Sequence, residues 1–121
     1  MAWLVEYHED YWAELQNESE AVQDAVFAIA EVLKQLGPQL KRPYADTLQG
    51  SHYSNMRELR ITVPDGEWRV AYGFDPERRA ILLTGGSKSG MSQRKFYERL
   101  IRVADRRYAD HLSKLAKKGD S

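Results

Sequence analysis

Apolar and polar positions along the chain change period several times, and each change marks an element. Trp3-Leu4-Val5-Glu6-Tyr7 is short, aromatic and β-branched, which predicts a first strand. From Asp10, read as an N-cap, the spacing becomes helical and turns Trp12 and Leu15 inward. Ser19 and Gln23 lie near a capping pattern, and Val22, Val26, Ile29, Leu33 and Leu36 recur at helical intervals until Gly37-Pro38 ends the run. This predicts a second helix, either continuous with the first through a bend or paired with it as a hairpin. Residues 38–53 have no period, contain Pro43 and Gly50, and read as an ordered connecting loop.

Beyond the loop the period drops to two. In Met56–Val63 the apolar Leu59, Ile61 and Val63 alternate with Glu58, Arg60 and Thr62, and Pro64-Asp65-Gly66 supplies a turn. In Trp68–Phe74 the large Trp68, Val70, Tyr72 and Phe74 face away from Arg69, Ala71 and Gly73. A turn at Asp75-Pro76-Glu77-Arg78 leads to Ala80-Ile81-Leu82-Leu83-Thr84, whose unbroken apolar run predicts a central strand. Gly85 to Gly90 reads as a flexible basic loop. A last helix begins near Ser92 with Phe96, Leu100, Val103 or Ala104, Tyr108 and Leu112 on one face. Arg94, Lys95, Arg99, Arg102 and Arg106 surround it, and residues 114–121 read as a frayed polar tail. The order β-α-α-β-β-β-α predicts one α+β domain over residues 1–121, a small, mostly antiparallel twisted sheet with helices packed on one face.

At 121 residues the chain suits one compact domain. It has no apolar run of membrane-spanning length, and Met1–Glu6 lacks the basic and apolar regions of a secretory signal. The absence of cysteine excludes disulfides, thiolate metal sites and a cysteine nucleophile, and fits a cytoplasmic location. Charge changes the picture more. Eighteen bases balance eighteen acids, yet Glu6, Glu9, Asp10, Glu14, Glu18, Glu20, Asp24 and Glu31 all precede Lys34, the first basic residue. All the bases follow, which makes the protein electrostatically two-sided, with its later part suited to a polyanion.

The candidate chemistry lies on the polar face of the middle strands. By alternation Glu58 and Arg60 share that face with Arg69, Ala71 and Gly73, and the small residues predict a shallow groove open to a nucleotide backbone. Lys88 is expected at one rim with Tyr97 near it, and His52 and Tyr53 at another. A sheet needs only its apolar face to fold, so aligned arginines on the other face point to an anion, and arginine forks suit phosphate. Metal-free RNA cleavage needs a base for the ribose 2′-OH, cations for the pentavalent phosphate and a proton for the leaving oxygen. Glu58 or His52 fits the first task, Arg60, Arg69 and Lys88 the second, and Tyr97, Lys88 or Arg69 the third. The bland alternatives are a cross-strand ion pair for Glu58, a loop role for His52 and a core role for Tyr97. Gly85-Gly86-Ser87-Lys88-Ser89 lacks the spacing of a phosphate-binding P-loop, and His8, His52 and His111 are too scattered for zinc, so no metal or cofactor is expected.

The ordered series Leu36-Gly37-Pro38-Gln39-Leu40, Arg42-Pro43, Asp46–Ser51, Asn55–Arg60, Trp68–Tyr72, Phe74-Asp75-Pro76, Gly85–Lys88 and Phe96-Tyr97 resembles the RelE/ParE superfamily of bacterial toxins, specifically its phage-related HigB-like branch. The resemblance implies the RelE-like fold and a type II toxin–antitoxin module. It implies an endoribonuclease that enters the ribosomal A site and cuts mRNA during translation without a metal. It also implies a helix-turn-helix, HigA-like antitoxin as partner, with operator DNA reached only through that antitoxin. By position, Arg60, Arg69 and Lys88 match the family's basic cleft, Glu58 its Glu-Leu-Arg segment, and Tyr97 an aromatic position of some RelE-type members. RelE-type toxins often carry two lysines where this chain has Arg57, Glu58 and Arg60, which leaves the base open. His52, Arg57, Arg94, Lys95 and Arg99 are expected to bind RNA, with Arg102 and Arg106 adding ribosome affinity. The competing readings are a ParE-like gyrase inhibitor and a noncatalytic antitoxin-binding module.

Overall fold

In the computed structural model, which describes residues 2–119, five strands form one mixed sheet in the order β1-β5-β4-β3-β2. Along the chain these are β1 (Leu4–Tyr7), α1 (Glu9–Gln16), α2 (Glu20–Leu36), a 3-10 turn (Gly37–Gln39), β2 (Ala45–Thr47), β3 (Met56–Val63), β4 (Gly66–Phe74), β5 (Arg79–Ser87) and α3 (Gln93–Gly119). The chain runs β2 to β5 as an antiparallel meander, and β1 closes the other edge by pairing parallel to β5, Leu4 with Arg79 through Tyr7 with Leu82.

The helices lie on both faces of this sheet, which corrects the expectation of a single covered face. Leu59, Ile61, Val70, Tyr72 and Leu82 meet Leu15, Val22, Val26, Ile29 and Leu33 of α1 and α2. Met56, Ala71, Ile81 and Leu83, pointing the other way, meet Phe96, Leu100, Ala104 and Tyr108 of α3. Burial on both sides is why Ala80–Leu83 is apolar at every position. The small residues on the α3 side do not leave an open groove either. A Cβ at Gly73 would stand 3.0 Å from the Tyr108 ring, and Ala71 is fully buried, so small size here admits the helix.

Local chemistry sets the element ends. His8, not Asp10, caps α1, its Nδ1 accepting from the Asp10 N–H at 3.1 Å. Tyr11 is consequently buried and Trp12, a hundred degrees round the helix, is 45% exposed, contrary to the inward placement expected of it. Ser19 caps α2 by accepting from the Val22 N–H at 3.2 Å. Gly37 ends that helix at φ +53°, where a Cβ would lie 2.3 Å from the Trp3 indole, and Leu36 is turned outward. Gly85 to Ser87, expected in a loop, extend β5; Gly86 pairs with Arg69 and Gly85 lies beneath the Tyr11 hydroxyl. A register shift between Ala71 and Tyr72 leaves Leu83 as an extra residue on β5. Its carbonyl accepts from Arg107 Nη1 at 2.9 Å, and the same guanidinium clasps the Glu14 carboxylate of α1 with both terminal nitrogens. Helix α3 runs through Gly119, so residues 114–119 are helical rather than frayed, and residues 120 and 121 lie outside the described residues.

Candidate active site

The residue rows of the sheet explain how the site is assembled. Strand pairing aligns Asp46, Glu58, Ala71 and Thr84 in one row across β2, β3, β4 and β5, and Arg60, Arg69 and Gly86 in the next. Opposed residues share a face, so Glu58, Arg60 and Arg69 converge on the α3 side of the sheet. Helix α3 covers the middle of that face, and its first turns bring Phe96 against Gly86 and Tyr97 to Glu58. The site occupies the ground between the first turns of α3 and β2.

Glu58 is the hub. It is only 4% exposed, and Tyr97 donates its hydroxyl to Oε1 at 2.8 Å. Arg60 Nη2 lies 3.4 Å from Oε2 and Arg69 Nε 3.7 Å from Oε1. The carboxylate is thus held between two guanidiniums and a phenol. Arg69, itself buried, extends Nη1 to Glu67 at 3.3 Å and to the Trp68 carbonyl at 2.9 Å. Burial, with the Glu58 carboxylate as second cause, pushes the Tyr97 phenol up against the opposing pull of Arg69, so Tyr97 keeps its proton at neutral pH. Lys88 places Nζ 5.5 Å from the centre of the Tyr97 ring, a cation–π contact that brings it to the site's edge.

The loop and short strand before β3 contribute residues that sequence reasoning missed. Asp46 stands opposite Glu58, binds Arg42 Nη2 at 2.7 Å and approaches Arg60 at 3.7 Å. The Arg42 hydrogen bond, then the Thr47 N–H, hold its carboxyl below the ordinary aspartate range. Glu67 is held low in the same way, first by the Thr62 hydroxyl and then by Arg69. A cleft of about 600 Å³ opens over this ground, lined by Arg42, Asp46, Glu58, Arg60, Arg94 and Tyr97 among others. The signal for Asp46 and Arg42 was their place just before the charged strand, but a three-residue strand has no periodicity to reveal it.

The remaining expected residues fall elsewhere. Arg57 points to the opposite face, where it donates to the Tyr72 hydroxyl and the Leu40 carbonyl, as its odd position on β3 requires. His52 is exposed and tied through its backbone N–H to Asp105, midway along α3, remote from Glu58. Arg94 lines the cleft, exposed and bonded to Glu98, while Lys95 is exposed on the first turn of α3. Arg99 lines a separate hollow with Glu14, Glu18 and Arg106. His8 and His111 are each engaged by carboxylates, Asp110 and Asp75 respectively.

Residues 13–109 match the family model described as "Phage derived protein Gp49-like (DUF891)". The chain is 42% identical over 91 residues to a Mycobacterium tuberculosis protein named "Putative toxin HigB2", a match covering 74% of this chain and 45% of that one. It is 39% identical over 90 residues to "Putative toxin HigB3" of the same organism, covering 74% of this chain and 75% of the relative. The chain thus spans less than half of the first relative and three quarters of the second. Among solved structures, an arginine-to-alanine double mutant of the Escherichia coli toxin RelE in its free state superposes with a TM-score of 0.58. That alignment covers 84% of this chain and 95% of RelE at 13% identity, a likeness of fold.

Proposed function

We propose that this chain, which belongs to the phage-derived Gp49-like family and its HigB-type branch of RelE toxins, is a ribosome-dependent endoribonuclease held in check by an antitoxin. One observation carries the reading: a buried carboxylate, Glu58, gripped by Arg60, Arg69 and Tyr97 at the floor of a cleft. A purely structural ion pair on a sheet face needs two partners, whereas this one has three and opens onto space for a ligand. In the proposed reaction Glu58 accepts the proton of a ribose 2′-OH as its oxygen attacks the adjacent phosphorus. Arg60 and Arg69 receive the negative charge of the pentavalent phosphate, which releases Glu58 from part of their grip. The bond from phosphorus to the 5′-oxygen breaks, and that oxygen takes a proton either from Lys88, to which Glu58 returns the one it accepted, or from Glu58 itself, while Tyr97 keeps the carboxyl in position. The products are a 2′,3′-cyclic phosphate and a 5′-hydroxyl. No step asks for a metal. The antitoxin is proposed to be a helix-turn-helix, HigA-like protein that carries the pair to operator DNA.

Induction of the wild type and of Glu58→Gln, Tyr97→Phe and Arg69→Ala in a tolerant bacterial host, with mRNA 5′ ends mapped, tests this. The expected result is new in-frame ends within translated regions, reduced roughly 10²- to 10⁴-fold in Glu58→Gln, the span of general-base contributions. Growth arrest with intact mRNA would move the target to gyrase or elsewhere. Cleavage undiminished in Glu58→Gln would reduce the carboxylate to a structural ion pair.

A further inference from the structure

The arginine row does not stop at β3. Arg60 donates its backbone N–H to the Tyr44 carbonyl at 2.8 Å, and Ala45 pairs with Leu59, so Tyr44 is the next member of the row Tyr44, Arg60, Arg69, Gly86. Opposed residues of neighbouring strands share a face, and strands lie ~4.8 Å apart, so the row sets an aromatic ring roughly 10 Å from Arg69 with Arg60 between them. The Tyr44 residue is 55% exposed, far more than a tyrosine retained for packing. It lines a second cleft of about 650 Å³ with Pro43, Arg60, Thr62, Glu67 and Arg69, and Arg60 is shared with the cleft over Glu58. The two hollows thus share Arg60 in their linings, which sets the second beside the first.

Two features suit this second cleft to an anionic ligand. Arg60 and Arg69 stand directly opposite each other, and the carboxylates that face this like-charged pair, Asp46, Glu58 and Glu67, stand back at 3.3–3.7 Å. The Nε atoms of both are buried and have no hydrogen-bond partner among the described residues. A phosphate beside them would be a further acceptor for the two guanidiniums, and the Tyr44 hydroxyl can donate to it as well, but neither contact uses the exposed face of the tyrosine ring. A nucleotide supplies both, with its phosphate on the arginines and its base against the ring. The base must be unstacked from its neighbours, which restricts the ligand to a single strand.

We infer that Tyr44 is a stacking platform for a nucleobase of single-stranded RNA whose phosphate lies on Arg60 and Arg69. The inference deepens the proposed nuclease reading, since it names how the same site holds its substrate, but it concerns binding and can be measured apart from cleavage. Every base has a π-face, so the platform tolerates sequence and sets register rather than codon choice.

The test is binding of a fluorescent 2′-O-methyl RNA nonamer, which offers no 2′-OH to attack, to the purified chain across a salt series. Wild type and Tyr44→Phe are expected to bind alike. Tyr44→Ala is expected to bind roughly 5- to 150-fold more weakly, the range for loss of one base–aromatic stack, with its salt slope unchanged because no cation is removed. Equal affinity of Tyr44→Ala and wild type overturns the platform, as does wild type failing to bind the nonamer. Circular dichroism of Tyr44→Ala guards the comparison, because a folded variant with weakened binding is the only result that supports it. Glu58→Gln separates the two readings. Tyr44-dependent binding by a wild type that cuts no mRNA keeps the platform and sinks the nuclease, and cleavage with Tyr44-independent binding does the reverse.

Discussion

Arg107 joins three elements at a point where the sheet is irregular, and its removal has a calculable cost. The residue is 7% exposed, yet it gives Nη1 to the carbonyl of Leu83, the extra residue of the β5 bulge, and both terminal nitrogens to Glu14 on α1. In Arg107→Met the stem volume is kept and the donors are lost. A buried carbonyl left without its donor costs about 1–3 kcal/mol. The Glu14 pair adds less, because that carboxylate is half exposed and screened, about 0–1 kcal/mol. The sum, about 1–4 kcal/mol, corresponds to a fall in Tm of about 4–16 °C for a domain of this size. Glu14→Gln, which spares the Leu83 contact, is expected to cost under about 1 kcal/mol. The pH dependence has a definite sign. The Arg107 hydrogen bond, opposed by burial, holds the Glu14 carboxyl below its ordinary value, so the stability it contributes is present above the unfolded value near 4.5 and is lost as pH falls through the folded one. Urea unfolding from pH 8 to pH 3.5 should therefore show the gap between wild type and Arg107→Met constant at first and narrowing below about pH 4.5. A loss under about 0.5 kcal/mol, or a Glu14→Gln variant as unstable as Arg107→Met, would refute the assignment of the main cost to the bulge carbonyl.

Gly73→Ala should destabilise by about 1–3 kcal/mol in urea, because its Cβ would press on the Tyr108 ring, whereas Gly119→Ala, with open space around it, should be neutral. Asp75→Asn should cost about 2–4 kcal/mol, since its fully buried carboxylate accepts from the Glu77 and Arg79 N–H groups and pairs with Arg79 and His111. Burial alone would raise the Asp75 carboxyl, but the His111 and Arg79 hydrogen bonds outweigh it and hold it low, so the Asp75→Asn deficit should shrink as acid titrates the wild type; a deficit independent of pH between 7 and 3 would contradict this. Changing Arg94 and Lys95, both exposed, to glutamate should weaken sedimentation with ribosomes and lower the slope of log affinity against log salt by about 2 or more, and an unchanged slope would exclude them from the contact.

Strands β3 and β4 were legible because each alternates with a period of two, and α2 because Ser19 and Gly37 bracket five apolar positions at helical spacing. The sidedness of the sheet was legible too, though in a place easily passed over. A strand apolar at every position, Ala80 to Leu83, requires a cover on each face, and α3 provides the second. Glycine misled in the opposite direction. Gly85 and Gly86 resemble a loop, but they are strand residues, and Gly85 is kept small by the Tyr11 hydroxyl beside it. At the site, the grouping of Glu58, Arg60 and Arg69 followed from alternation, and Tyr97 joined them across 39 positions, a contact that only packing of α3 decides. Arg57 failed to join because alternation sends it to the other face, a consequence available from the sequence itself. Tyr44 and Asp46 were hidden because β2 is too short to show a pattern.

The parallel pairing of β1 with β5 has a consequence in time. Leu4 must wait for Arg79, and Tyr97 reaches Glu58 only after β5 is complete, so local contacts cannot finish either the sheet or the site. Closing such distant pairs is slow relative to local structure. During synthesis the acidic first helices emerge with their apolar faces uncovered, and the cation-bearing strands follow without the phenol that anchors their carboxylate. A chain still being made therefore lacks the contact between Tyr97 and Glu58, which the order of its strands withholds until the start of the last helix has emerged.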